Sequence, residues 1–193
     1  MESCHEPISK AGGDRSTHSD THVIRVPHRI GHVVLSMALG SLGQGCFFES
    51  PLDPDASVRV DPAILGTWRC LGFDAEADSQ PANFVVSRAN DHRYAITVQQ
   101  QGEVPGEYEA YASLIKGQAI LNVRLPKATD PPKQWALARY SFLRTDVMQV
   151  QLVDDSKLKS VDSSSATLRR AFQKVYNQAD LFWDYCVCVR VKP

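Results

Sequence analysis

No apolar run in this chain is long enough to cross a bilayer, which takes about 20 residues; the longest spans Val33–Leu42. Gly-x-Ser-x-Gly, His-Glu-x-x-His and a glycine-rich phosphate loop are all missing, so the common hydrolase, zincin and nucleotide signatures are excluded. Beyond residue 46 the only histidine is His92, in a predicted turn beside Asp91. The acid pairs Asp53/Asp55 and Asp154-Asp155 fall in loops, where turn chemistry accounts for them. No enzyme activity, cofactor or metal is therefore expected. Charge of one sign is lacking too. Lysine plus arginine number 21 against 22 acids, a net charge of −1, with no basic cluster, which argues against a nucleic-acid partner.

What is present begins with residues 26–46. Arg25 and Arg29 precede the apolar run, and small residues then lead to Cys46. That layout is expected of a secretory signal peptide, here residues 26–45. Residues 1–25 are polar and without helical or strand period, as in a disordered leader. Translation starting later, at Val26, is the other reading, because an internal valine codon can be read as methionine at initiation.

The segment Leu42-Gly43-Gln44-Gly45-Cys46 resembles the lipobox of bacterial lipoproteins, with the leucine one place early. The resemblance implies that the Cys46 thiol takes a diacylglycerol and becomes the mature N-terminus, anchoring the chain to a membrane. Phe47 then stands where aspartate would retain such a protein in the inner membrane. The expected location is the bacterial cell envelope, on the periplasmic side, anchored to the outer membrane. Residues 46–62, with Pro51, Pro54 and Pro62, read as an extended tether.

Residues 63–193 read as one domain of short strands joined by turn residues. Strands are expected at 65–73, 83–88, 93–100, 107–115, 118–125, 134–143, 147–153 and 182–191. Apolar residues alternate along them: Tyr94, Ile96 and Val98; Tyr108, Ala110, Ala112 and Leu114; Ala136, Ala138, Tyr140 and Phe142; Met148, Val150 and Leu152. In the last strand Trp183, Tyr185, Val187 and Val189 alternate with Asp184, Cys186, Cys188 and Arg190. Such alternation over consecutive strands indicates an antiparallel meander. One amphipathic helix precedes the eighth strand, with Leu168, Phe172, Val175 and Ala179 at helical spacing after cap candidates Ser163–Ser165. Eight strands suffice to close an up-and-down sheet on itself. The expected fold is mainly β, an eight-stranded antiparallel meander barrel with one α-helix before the last strand.

Gly66-Thr67-Trp68 on the first strand, the strand count and the size resemble the lipocalin/calycin barrels. The resemblance implies that Trp68 plugs the closed end and that Arg190, on the last strand, packs over it. Small periplasmic protease inhibitors, barrels with the same Gly-x-Trp start, resemble this plan as well.

The barrel interior is the default binding site. Candidate lining residues are Trp68, Tyr94, Tyr108, Ala112, Tyr140, Phe142, Met148 and Tyr185, and the small alanines leave room beside them. A small apolar ligand with one polar group would suit, because buried tyrosine hydroxyls need partners. A core filled by the same aromatics is the alternative. First and last strands are neighbours in a closed barrel, so Cys70 can pair with Cys186 or Cys188 and lock the closure. These three thiols also offer a soft-metal set, which ranks below a disulfide. Two functional classes follow: a carrier of a small apolar ligand at the envelope, or a non-enzymatic module with a protein partner.

Overall fold

The computed structural model describes residues 47–73, 80–126, 134–158 and 164–192. Eight strands run in chain order: β1 (Gly66–Gly72), β2 (Ala82–Asn90), β3 (Arg93–Gln99), β4 (Gly106–Ile115), β5 (Gln118–Arg124), β6 (Trp135–Arg144), β7 (Val147–Val153) and β8 (Phe182–Arg190). Each pairs antiparallel with the next, and β8 returns to pair with β1, so the sheet is a closed barrel without edges. The single α-helix among the described residues, α1 (Ser165–Val175), precedes β8 as expected. No helix among the described residues is long and apolar enough to cross a membrane.

Turn chemistry sets the hairpins. The Asn90 side chain accepts from the His92 N–H to fold the β2–β3 turn. Lys116 (φ 49°) and Gly117 (φ 82°) provide the two positive φ values that a tight β4–β5 hairpin demands. Ser164 caps α1, its hydroxyl accepting from the Thr167 N–H, and the helix stops at Val175, short of Ala179.

Two apolar clusters divide the core. The inner one fills the barrel and includes Trp68, Val86, Tyr94, Ala112, Leu121, Ala138 and Met148. The outer one lies on the wall formed by β4 to β7, where Ile115, Ile120, Leu137 and Val153 point away from the interior. Leu168 and Phe172 of α1 cover that wall, together with Phe48 and Leu52 of the N-terminal segment. The stretch expected as an extended tether is thus strapped down from Phe48 onward. Leu52 donates to the Asn122 Oδ1 at 2.7 Å, Tyr111 donates its hydroxyl to the Asp53 carbonyl, and Arg169 of α1 donates to the Asp53 carboxylate. Asn122 and Ser113 are fully buried yet paired with each other at 2.9 Å, which removes the penalty of hiding them.

Two alternation readings change. Leu114, expected inside, shares the inner face of β4 with Ala110 and Ala112 but stands at the rim beside the Lys116-Gly117 turn and is 47% exposed. In β8 a bulge breaks the period of two: Val150 pairs with Cys186, but Gln151 pairs with Asp184, leaving Tyr185 as the extra residue. Both Tyr185 and Cys186 therefore join the inner cluster, and from there Cys188 faces inward while Val189 is exposed.

Candidate functional site

The barrel has a closed end and a loop-bearing end, and the closed end is built around Trp68. Its indole N–H donates to the Ile64 carbonyl at 2.8 Å, tying it to the short 3-10 helix Pro62–Ile64 that stops this end. The Arg190 guanidinium lies over the Trp68 ring at 4.1 Å and donates to the Leu65 and Ala63 carbonyls. Arg190 thus occupies the place read for it from the sequence. Asp61 completes the plug. Its N–H donates to the Tyr94 hydroxyl at 2.8 Å, its carboxylate accepts from the Tyr140 hydroxyl at 2.8 Å, and it caps the 3-10 helix. Burial first, and the neighbouring Asp61 charge with it, pushes the Tyr94 and Tyr140 hydroxyls above the ordinary tyrosine range. Both therefore stay protonated and serve as fixed hydrogen-bonding groups.

Inner-face burial is graded along the axis. Trp68, Val86, Tyr94, Ala112, Leu121, Ala138 and Met148 are buried. Toward the loop-bearing end the inner face becomes only half-buried, at Phe84, Val98, Tyr108, Val123, Leu152 and Tyr185. Each of these lies within a few residues of the strand end that carries the long connections. The partial exposure begins midway, at Ile96 and Val150. The interior is accordingly packed most tightly around Trp68, Tyr94 and Met148 and half-buried above, with Cys70 and Ala136 as buried exceptions near the upper end and Leu114 and Phe142 partly exposed at the closed-end rim.

This upper part holds polar groups without a partner among the described residues. Neither the Tyr108 nor the Tyr185 hydroxyl has a hydrogen-bond partner among the described residues, in contrast to Tyr94 and Tyr140 below. Burial, then the neighbouring Cys186 and Tyr108, raises the Tyr185 pKa. Trp183 stands opposite Leu152 and stacks edge-on against Tyr185, with ring centroids 5.8 Å apart. Its indole N–H is buried without a partner among the described residues. A half-buried upper face, or cup, with apolar walls and with two hydroxyls and one N–H unpartnered among the described residues, is suited to an apolar molecule bearing a polar group.

The eight residues read as lining thus divide. Tyr108 and Tyr185 belong to the accessible upper part. Trp68, Tyr94, Ala112, Tyr140 and Met148 belong to the packed lower part or the plug. Phe142, 38% exposed, lies against Trp68 and Tyr140 at the closed end, with ring centroids about 6 Å from each. Trp183 and Asp61 were not singled out by sequence reasoning. The aromatic pair flanking Asp184 and the Asp-Pro step ahead of Gly66-Thr67-Trp68 are the signals that point to them.

The cysteines meet inside the barrel. Cys70 and Cys188, directly opposed across the β1–β8 seam, form a disulfide. Cys186 is a free buried thiol whose pKa is pushed up to about 12 by burial, so it stays protonated near neutrality. Cys46, the expected lipidation site, lies outside the described residues. Two surface depressions lie apart from the interior. One of about 590 Å³ is lined by Asp55, Ala56 and Asn90–Arg93, and one of about 350 Å³ lies between Asp53 and Arg169.

Among known proteins, no family model matches this chain and no curated sequence is similar to it.

Proposed function

We propose that this protein binds or carries a small apolar ligand, bearing one polar group, in the upper part of its barrel, and does so at the bacterial envelope as an exported, lipid-anchored protein. The observation that carries the ligand reading is the half-exposed inner face from Phe84 to Tyr185, with three polar groups uncommitted among the described residues. Export and anchoring rest on residues 26–46 and their resemblance to a lipoprotein signal. We read the role as binding, not catalysis, because the groups unpartnered among the described residues are a pair of protonated hydroxyls and an indole N–H, and the one thiol beside them, Cys186, is held protonated by burial.

The position of the cup makes the reading testable by where bulk is added. Val123→Phe, on the half-buried upper wall, is expected to abolish binding of an apolar fluorescent probe while the urea midpoint barely moves. Ala112→Phe, in the packed lower part, is expected to cost about 1–3 kcal/mol by overpacking and so to act on stability. Probe binding unaffected by Val123→Phe would sink the cup as the site. The anchor is checked by intact mass of protein extracted in mild detergent from the membranes of its own cells. A chain starting at Cys46 with a diacylglycerol adduct is expected, and a free cleaved chain would remove the anchoring part alone.

A second reading, a module with a protein partner, is favoured by one observation. Leu71 (50% exposed) and Val189 (49% exposed) sit on the outer face of the neighbouring strands β1 and β8. A stable protein complex that survives Val123→Phe and is lost with Leu71→Glu would favour that reading.

A further inference from the structure

Three cysteine sulfurs, from Cys70, Cys186 and Cys188, all lie within 4.8 Å of one another, and all three residues are buried. The disulfide explains the proximity of two. It does not explain the third: the Cys186 Sγ stands 3.6 Å from the Cys188 Sγ. Cys-x-Cys spacing puts both side chains on one face of β8, and the bulge at Tyr185 turns that face inward. A further soft donor occupies the next register position, since Met148 on β7 pairs with Cys188 and belongs to the same buried cluster. No histidine or carboxylate among the described residues joins the group.

We propose that, once the Cys70–Cys188 disulfide is reduced, Cys70, Cys186 and Cys188 bind one monovalent copper ion through their three sulfurs. An all-sulfur donor set in an apolar interior selects soft Cu(I). Zinc is disfavoured because it takes four ligands in a closed tetrahedral site, whereas this cluster presents three thiols. The chemistry balances simply. A dithiol reductant delivers two electrons and two protons, the Cys70–Cys188 bond breaks to give two thiols, and the reductant becomes a disulfide. Cu(I) then forms three Cu–S bonds and displaces the thiol protons to solvent, and copper stays monovalent throughout. The disulfide is thereby a gate, because its sulfurs cannot act as thiolate ligands while bonded to each other. This inference is independent of the ligand proposed for the upper cup.

The test uses the full chain with Cys4→Ser and Cys46→Ser, so that only the barrel cysteines remain. Oxidised and dithiol-reduced protein are desalted without oxygen and titrated with Cu(I) against a chromophoric Cu(I) chelator. The reduced form is expected to withhold one Cu(I) per chain, with only sulfur neighbours by X-ray absorption, and the oxidised form none. Cys186→Ser, which keeps the disulfide available for folding, should weaken the reduced site by at least about tenfold, the smaller loss seen on disturbing even an outer partner of a metal ligand. Equal retention by oxidised and reduced protein, or by Cys186→Ser and its parent, would overturn the proposal. So would Zn(II) held as firmly as Cu(I). Loss of the far-UV spectrum on reduction would likewise overturn the proposal, because no folded state would then bring the three thiols together.

Discussion

Gly66 shows how one position can answer two demands. Its φ of +126° is a conformation that side chains with a Cβ rarely adopt, and a Cβ there would stand 3.0 Å from the Arg190 Nη1. The first letter of Gly-x-Trp is therefore needed for the approach of the arginine that covers the third. Trp68 itself is fully buried and anchored through its N–H. Gly66→Ala is expected to cost about 1–3 kcal/mol, from backbone strain and displacement of the guanidinium. Urea unfolding followed by tryptophan fluorescence measures it; a change within a few tenths would mean that the chain relaxes around the methyl group at no cost. Asn122 is the complementary case, a buried polar side chain that spends both N–H donors on the wall at Tyr111 and Ser113 and accepts with its oxygen from the strap at Leu52.

At the scale of elements, the 3-10 plug and the N-terminal strap are both held by tyrosine hydroxyls. Tyr94 and Tyr140 hold Asp61 of the plug, and Tyr111 holds Asp53 of the strap. Burial raises all three pKa values, that of Tyr111 to about 12 against an ordinary 10. A group whose pKa is higher in the folded state binds its proton more tightly there, so its contribution is complete below the unfolded value. It is lost as pH rises from 10 toward 12. The urea midpoint is accordingly expected to hold level with respect to tyrosine up to about pH 10 and fall above it, and phenolate absorbance should lag that of unfolded chain. Titration of all the tyrosines at the ordinary value in folded protein would contradict the burial of these hydroxyls. The β8 bulge acts at the same scale. One extra residue between two ladder segments brings Tyr185 to the cup and Cys186 to the sulfur cluster at once.

For the molecule as a whole, closure is the decisive feature. The β1–β8 seam joins the two ends of the domain through a ladder from Trp68/Arg190 to Gly72/Cys186, and the Cys70–Cys188 disulfide spans a sequence separation of 118 residues. Tying so long a loop removes much of the freedom of the unfolded chain. Cys70→Ala with Cys188→Ala is expected to lower stability by about 2–4 kcal/mol and leave the far-UV spectrum unchanged, since the ladder, the outer cluster and the plug remain. Loss of β-structure instead would show that the seam depends on the covalent bond.

Alternation of apolar and polar residues, turn residues between them and a strand count of eight were enough to read the barrel and its lone helix from the sequence, because strand period and turn chemistry are local. The Trp68–Arg190 pair was legible through Gly-x-Trp and the position of Arg190 on the last strand. Three features were not legible. Which outward-facing apolar residues are covered depended on α1 and the strap reaching across the wall of β4 to β7, through contacts such as Leu52–Asn122 and Arg169–Leu114 that are 70 and 55 residues apart in sequence. The choice of Cys188 over Cys186 as the partner of Cys70 depended on β1–β8 register, and the inward turn of Cys186 depended on a bulge, which shifts the side-chain period without any mark in the pattern itself. Which inner tyrosines are committed was decided by tertiary structure alone: Tyr94 and Tyr140 are spent on Asp61, while Tyr108 and Tyr185, identical in kind, have no partner among the described residues.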